Sequence, residues 1–187
     1  MAHYSHPTTK GLEAVRDFVN SVHYEQGVVD EHLESPAALE AFLAEHELGP
    51  ASVRPADLRR ALEVREALRN VMGANNGEAL DPDAVELLNR TAARAKIVAA
   101  FDDHASWRIE PVSNGVDRAL GQMLATVFRS MSDGSWSRMK ACGNPDCRWA
   151  FYDATKNHSG RWCEMASCGN RMKARAFRER ARKAAAK

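Results

Sequence analysis

Four cysteines in the last quarter of this 187-residue chain form two pairs of equal spacing. Cys142 pairs with Cys147 and Cys163 with Cys168, each across four intervening residues, and fifteen residues separate the two pairs. Zn(II) accepts four thiolates at roughly 2.3 Å in a tetrahedral shell, and such a shell leaves no position for water or substrate. The spacing therefore predicts one structural zinc ion per chain and argues against a catalytic one.

The residues beside the ligands are suited to a tight metal site. Cys142 and Cys168 are each followed by Gly-Asn, a weak internal repeat of the two half-sites. A glycine after a ligand predicts a sharp turn with positive φ, whose N–H groups donate to the sulfurs. Four thiolates on Zn(II) leave a charge of −2, which we expect Arg148, Arg161 and Arg171 to offset.

The segment between the two pairs is rich in aromatic residues. Residues 148–152 are predicted to form a strand, followed by a polar turn. Trp149, Phe151 and Trp162 are expected to form a miniature hydrophobic core, because so short a segment has little else to bury; a base-stacking surface is the alternative. His158 could ligate a metal, but with four thiolates available we expect it to be a loop residue.

Charge divides the chain into two unlike parts. From residue 138 onward there are thirteen Lys/Arg against four Asp/Glu, a net charge of +9. The preceding 137 residues carry thirteen Lys/Arg against 21 Asp/Glu, a net charge of −8. A dense basic patch is typical of proteins that bind a polyanion, although a solvated charged tail would look the same.

The last eighteen residues predict a basic helix. Residues 170–187 contain no helix breaker and are rich in Ala, Arg, Lys and Glu. Arg171, Arg175, Arg178 and Arg182 fall within about 60° of one another on a helix of 3.6 residues per turn. We expect the metal site to hold this helix against DNA while its cations reach phosphates; a frayed, solvated helix is the alternative. The expected nucleic-acid contacts are Arg161, Asn170, Arg171, Lys173, Arg175, Arg178 and Arg182.

The preceding part of the chain predicts an α+β fold that is mainly helical. Apolar periodicity predicts one small antiparallel hairpin over residues 97–112 with its turn at 102–105, and a strand over 136–140. The first helix could extend as far as residue 22, although residues 18–22 would also suit a strand. Where the composition becomes basic, we divide the chain into an N-terminal domain, 1–137, and a zinc finger, 138–187. The predicted helices cover residues 12–22, 36–43, 55–72, 82–92 and 116–131.

Composition indicates a soluble globular protein. Hydrophobic residues make up 44% and charged residues 27%, and no apolar run approaches the roughly 18 residues that a membrane span needs. Residues 1–7 show no secretory signal, so we expect a cytoplasmic protein and no membrane partner. In that reducing compartment paired cysteines bind metal more often than they form disulfides.

The finger resembles the CGNR zinc-finger family. The resemblance covers about residues 138 to 180, and the early Phe18-Val19-Asn20 resembles the start of the ABATE domain that precedes this finger in the family. The residues that carry it are Cys142-Gly143-Asn144-Pro145-Asp146-Cys147, Arg161-Trp162-Cys163 and Cys168-Gly169-Asn170-Arg171.

The resemblance implies zinc bound by the four cysteines, with residues 168–171 nearest to double-stranded DNA. It further implies a stress-linked transcription regulator whose N-terminal domain senses a small ligand. Asn20, His23 and Trp107 could line such a pocket, although each would equally serve as an ordinary core or surface residue. A homodimer is left open.

Two other classes of function compete with a DNA-binding regulator. An RNA-binding or protein-interaction module would use the same basic finger, and the thiols could act as a redox switch. An enzyme is not expected, because the chain has no Ser/His/Asp order, no Gly-rich phosphate loop and no His-Glu zinc motif. Metal removal is expected to unfold the finger and to leave the larger domain intact.

Overall fold

The computed structural model describes residues 11–25, 27–101 and 103–185. Residues 1–7, residue 102 of the predicted turn and the last two residues of the predicted C-terminal helix lie outside these ranges. Over the described ranges, no helix is both long and apolar enough to cross a membrane.

The described residues form six α-helices and three two-stranded antiparallel hairpins, which confirms the predicted α+β class. The helices are α1 (Leu12–Val19), α2 (Pro36–Glu45), α3 (Pro55–Ala74), α4 (Pro82–Arg94), α5 (Gly115–Ser132) and α6 (Asn170–Ala185). The strands are β1 (Val22–Glu25), β2 (Val28–Glu31), β3 (Ile97–Phe101), β4 (Trp107–Pro111), β5 (Met139–Ala141) and β6 (Ala150–Tyr152).

Capping side chains fix where two helices begin in the part of the chain that precedes residue 138, which we call the body. The Ser35 hydroxyl accepts a hydrogen bond from the Ala38 N–H at the start of α2, and Asp81 accepts one from the Asp83 N–H at the start of α4. Both helices carry proline at their first position, where its missing N–H costs nothing. These are the starts that the sequence predicts.

The main core lies between α1, α3 and α5. Phe18, Leu68, Met72, Leu120 and Met123 are each almost completely buried there. The α4 helix covers α3 and α5 from one side, and α2 packs against α3. The apolar stripes predicted along these helices are therefore the surfaces that build the core.

The β3–β4 hairpin was predicted, and its base packs tightly on α5. Strand pairing runs from Ile97 opposite Pro111 to Phe101 opposite Trp107. A Cβ atom at Gly121 of α5 would lie 2.6 Å from Cβ of Ala95 and 2.7 Å from Cβ of Pro111. Only glycine lets the helix approach the hairpin this closely.

Two local predictions were wrong. The first helix ends at Val19, because a turn follows in which the Ser21 hydroxyl donates to the Phe18 carbonyl, and Val22 begins strand β1 instead. The β1–β2 hairpin was not predicted at all. Part of the predicted strand over 136–140 is a 3₁₀ turn, Ser135–Arg138, so β5 begins only at Met139.

The finger and the body share one hydrophobic core. Met139, Ala141 and Ala150 of the β5–β6 hairpin are fully buried and belong to the same cluster as the helices of the body. The hairpin packs against α3. The division of the chain at residue 138 stays a prediction, but packing is continuous across it.

Candidate metal centre and nucleic-acid interface

The four cysteine sulfurs converge at one point. All four Sγ atoms lie within 4.8 Å of one another. The Sγ of Cys163 is 3.6 Å from that of Cys147 and 3.7 Å from that of Cys168. A tetrahedron with Zn–S bonds of about 2.3 Å has sulfurs about 3.8 Å apart, whereas a disulfide requires about 2.05 Å. The cluster therefore has the donor set and the spacing of a four-thiolate metal site.

The four thiols influence one another's ionisation. Hydrogen bonds from Cys147 and Cys163 lower the pKa of the Cys142 thiol. The hydrogen bond between Cys147 and Cys142 raises the pKa of the Cys147 thiol, and hydrogen bonds with Cys142 and Cys147 raise the pKa of the Cys163 thiol. Ionisation of one thiol thus opposes ionisation of the next, and a divalent cation is what would hold all four as thiolates.

Hydrogen bonds from backbone and side-chain groups reach three of the cysteine sulfurs. Backbone N–H groups of Asn144 and Cys163 reach the Cys142 sulfur, and that of Trp149 reaches the Cys147 sulfur. The amide Nδ2 of Asn144 donates to the Cys168 sulfur at 3.5 Å, while its Oδ1 accepts from the Asp146 N–H. Asn144, only 2% exposed, thus joins the two half-sites.

The role predicted for the glycines was wrong, since neither Gly143 nor Gly169 has positive φ. A Cβ at Gly143 would lie 3.2 Å from the Trp162 ring, and one at Gly169 would lie 2.5 Å from Sδ of Met165. Close packing therefore explains these glycines. The left-handed residue of the first half-site is Arg148, at φ 56°.

Aromatic side chains enclose the cluster as expected, with one exception. Trp149 and Trp162 pack against the buried cysteines. Phe151 is half-buried and belongs to neither hydrophobic cluster. His158 is exposed, and its backbone carbonyl accepts a hydrogen bond from Lys140 at 2.6 Å. The structure thus places His158 in a loop, away from the ligand set.

A buried ion pair holds the loop between the half-sites. Lys140 Nζ donates to Asp153 Oδ2 at 2.7 Å, and both side chains are nearly inaccessible to solvent. Burial raises the pKa of Asp153, but hydrogen bonds from Lys140, Thr155 and Gly160 outweigh it and bring that pKa to about 2. The loop is therefore fixed by charge as well as by the metal ligands.

Asn20 fastens the body to β6. Its Nδ2 donates to the Ala150 carbonyl at 2.9 Å, and its Oδ1 accepts from the Ala150 N–H at 2.7 Å. Arg69 of α3 donates to the backbone carbonyls of Val19 and Arg148. One buried amide and one buried guanidinium thus tie α1 and α3 to the strand between the half-sites.

The turn after α3 forms hydrogen bonds with the chain close to both cysteine pairs. Asn76 Nδ2 donates to the carbonyls of Ala141 and Arg161, at 2.8 and 2.9 Å. The Arg148 guanidinium forms an ion pair with Glu78. Its positive charge, which was expected to offset the thiolates, is therefore paired with a carboxylate. Nothing in the sequence indicated this role for Asn76 and Glu78.

The α6 helix projects from the metal site into solvent. It contains no buried residue and packs against the turn Met165–Gly169, which carries Cys168. All but one of the predicted nucleic-acid contacts lie on it, and all of them are exposed. The exception, Arg161, lies with its guanidinium 5.8 Å from the centre of the Trp162 ring. The Asn170 amide donates to the Ala166 carbonyl.

Three arginines of α6 border a cleft beside the first half-site. Arg171, Arg175 and Arg178 line one wall, and Asn144 and Asp146 line the other. Three of the four arginines that the sequence places on one face of the helix therefore lie next to the metal site.

The three residues suggested as a ligand pocket lie in different settings. Asn20 is committed to Ala150, and the His23 ring makes an edge contact with Trp149 at 5.4 Å between ring centres. Trp107 is 54% exposed and lies at the turn end of the β3–β4 hairpin, opposite Phe101. Asn20 and His23 thus contact the finger, and their part in ligand binding stays a prediction.

Comparison with protein-family models identifies both parts of the chain. Residues 12–133, about two thirds of the chain, match the ABATE family, described as "Putative stress-induced transcription regulator". Residues 138–181 match the CGNR zinc finger. The chain therefore belongs to the ABATE family and carries a CGNR zinc finger. A search of curated proteins found no match.

Proposed function

We propose that this protein is a zinc-dependent regulator that binds double-stranded DNA through α6. The observation that carries the proposal is the position of four arginines on one face of a helix that has no buried residue and begins two residues after the fourth cysteine. Zn(II) bound by the four sulfurs would fix the N-terminal end of α6 relative to the body. The cations would then reach phosphates from a defined direction.

Charge and family support the same function. The net charge of +9 from residue 138 onward suits a polyanion, while the acidic body would repel nucleic acid and leave α6 as the contact surface. Membership of a family described as transcription regulators favours DNA over other polyanions. A shell of four thiolates offers no open position for catalysis, so we propose a regulatory protein and no enzyme.

The test is a salt titration of binding to a fluorescent duplex by zinc-loaded protein. If α6 neutralises about four to six phosphates, log K should fall with log salt at a slope of about −4 to −5. Arg178→Gln should weaken binding and reduce the slope by about 1. Arg59→Gln removes the same charge from an exposed position on α3 and should change neither quantity.

Competition assays with unlabelled nucleic acids distinguish duplex DNA from RNA and single strands as the partner. Structured RNA and single strands should compete less well than unlabelled duplex at equal phosphate concentration. Preference for structured RNA would replace DNA with RNA as the partner. Absence of duplex binding at low salt, with stoichiometric zinc, would refute the proposal.

A further inference from the structure

The α6 helix carries an apolar stripe beside its arginine face. At about 100° per residue, Ala174, Phe177 and Ala181 fall within about 60° of one another. Phe177 is 67% exposed, and both alanines are exposed. Phe177 is the largest apolar side chain on a helix that otherwise consists mainly of alanine and charged residues.

Cations flank this stripe on both sides. The arginine face of Arg175 and Arg178 lies along one edge, and Lys173 and Arg180 lie along the other, each roughly 40° or more away. The helix therefore presents an apolar strip between two cationic strips. A major groove about 12 Å wide has the complementary pattern, with base edges on its floor and a phosphate strand on each wall.

We infer that Ala174, Phe177 and Ala181 face the floor of the DNA major groove and contact thymine methyl groups. The inference rests on the proposed function and adds to it the base chemistry that is recognised. Among the groups that bases display in the major groove, the thymine C5-methyl is the apolar one, while the others are hydrogen-bond donors and acceptors. Phe177 then determines specificity, and the flanking cations position the helix.

Charge argues against a second copy of the chain as the occupant of the stripe. Pairing two α6 helices along Ala174, Phe177 and Ala181 would place Arg178 and Arg180 of each copy at the edges of the seam, facing like charges. A-form RNA is also a poor fit, because its major groove is too narrow for side chains to read. Duplex DNA satisfies both the apolar strip and the cations.

The experiment uses full-length, zinc-loaded protein and a duplex recovered by selection from random sequences. Each thymine is replaced by uracil, which removes only the methyl group. Binding of wild type should weaken by about fourfold for each methyl group that loses its contact. Phe177→Ala should bind the thymine duplex more weakly and lose the distinction between thymine and uracil, with an unchanged salt slope.

Phe101→Ala is the matched control, since Phe101 is 79% exposed but lies on β3 and outside α6. It should behave as wild type. Circular dichroism and zinc content check that both variants are folded.

The outcomes separate the two proposals. If wild type binds no duplex, the proposed function fails and this inference fails with it. If wild type binds with a steep salt slope but treats thymine and uracil alike, only the contact with thymine is overturned. It is likewise overturned if Phe177→Ala reduces the salt slope, or if that substitution acts by converting a dimer to a monomer in sedimentation.

Discussion

Removal of the metal should destabilise the body of the protein as well as the finger. This expectation replaces the one drawn from the sequence, because the β5–β6 hairpin contributes Met139, Ala141 and Ala150 to the main core. Without the metal, the segments on either side of this hairpin lose their common anchor. The hairpin then has only its packing and its hydrogen bonds to keep it on α3.

The size of the effect follows from what the hairpin buries. A buried methionine contributes about 2 kcal/mol and each buried methyl group about 0.8 kcal/mol. The two hydrogen bonds between Asn20 and Ala150 contribute about 1 kcal/mol each. Detachment of the hairpin therefore costs on the order of 5 kcal/mol, which approaches the whole stability of a domain. For a chain of this size it should lower Tm by about 10–20 °C.

Calorimetry with and without a chelator measures this, with zinc loss verified by elemental analysis. Cys168→Ser should reproduce the effect of the chelator. Lys156→Ala, at an exposed position of the same finger, should retain zinc and Tm. The reasoning is refuted if zinc-free protein shows an unchanged main transition and unchanged hydrogen exchange in α1, α3 and α5.

Three further predictions concern single side chains. Asn20→Ala leaves the N–H and C=O of Ala150 without partners and should lower the free energy of unfolding in urea by about 2–4 kcal/mol; a loss below 0.5 kcal/mol would contradict the tie between body and finger. Asn144→Ala should weaken zinc affinity about tenfold or more in chelator competition, and unchanged affinity would show that the bond to sulfur does not matter. Hydrogen bonds from Arg54 hold the pKa of Asp57 at about 2, whereas its pKa in the unfolded chain is near 4. The ionised Asp57 carboxylate therefore contributes its full stability above about pH 4, and this contribution is lost as pH falls towards 2. The Tm difference between wild type and Asp57→Asn should therefore be larger at pH 6 than at pH 3, and a constant difference would contradict that pKa.

The sequence predicted best where local chemistry decides the structure. The cysteine spacing predicted the cluster, Ser35-Pro36 and Asp81-Pro82 predicted two helix starts, and regular apolar spacing predicted the long helices. Each of these signals lies within one element and needs no knowledge of a distant partner.

The sequence predicted poorly where a residue acts across the fold. Asn20 bonds to a residue 130 positions away, and Asn76 bonds to Arg161 across 85 positions. The Asn20 side chain bonds the N–H and the C=O of Ala150 as a neighbouring strand would, but in a linear sequence it looks like any other polar residue. Gly143 and Gly169 show the same limit, because their tight packing against Trp162 and Met165 depends on tertiary structure and leaves no mark in local turn patterns.

The most direct test of the metal site is X-ray absorption at the zinc edge combined with elemental analysis of the purified protein. One zinc per chain, surrounded by four sulfur atoms at about 2.3 Å, is the expected result. A chain without stoichiometric metal, or zinc with nitrogen or oxygen neighbours in place of one of the sulfurs, would contradict it.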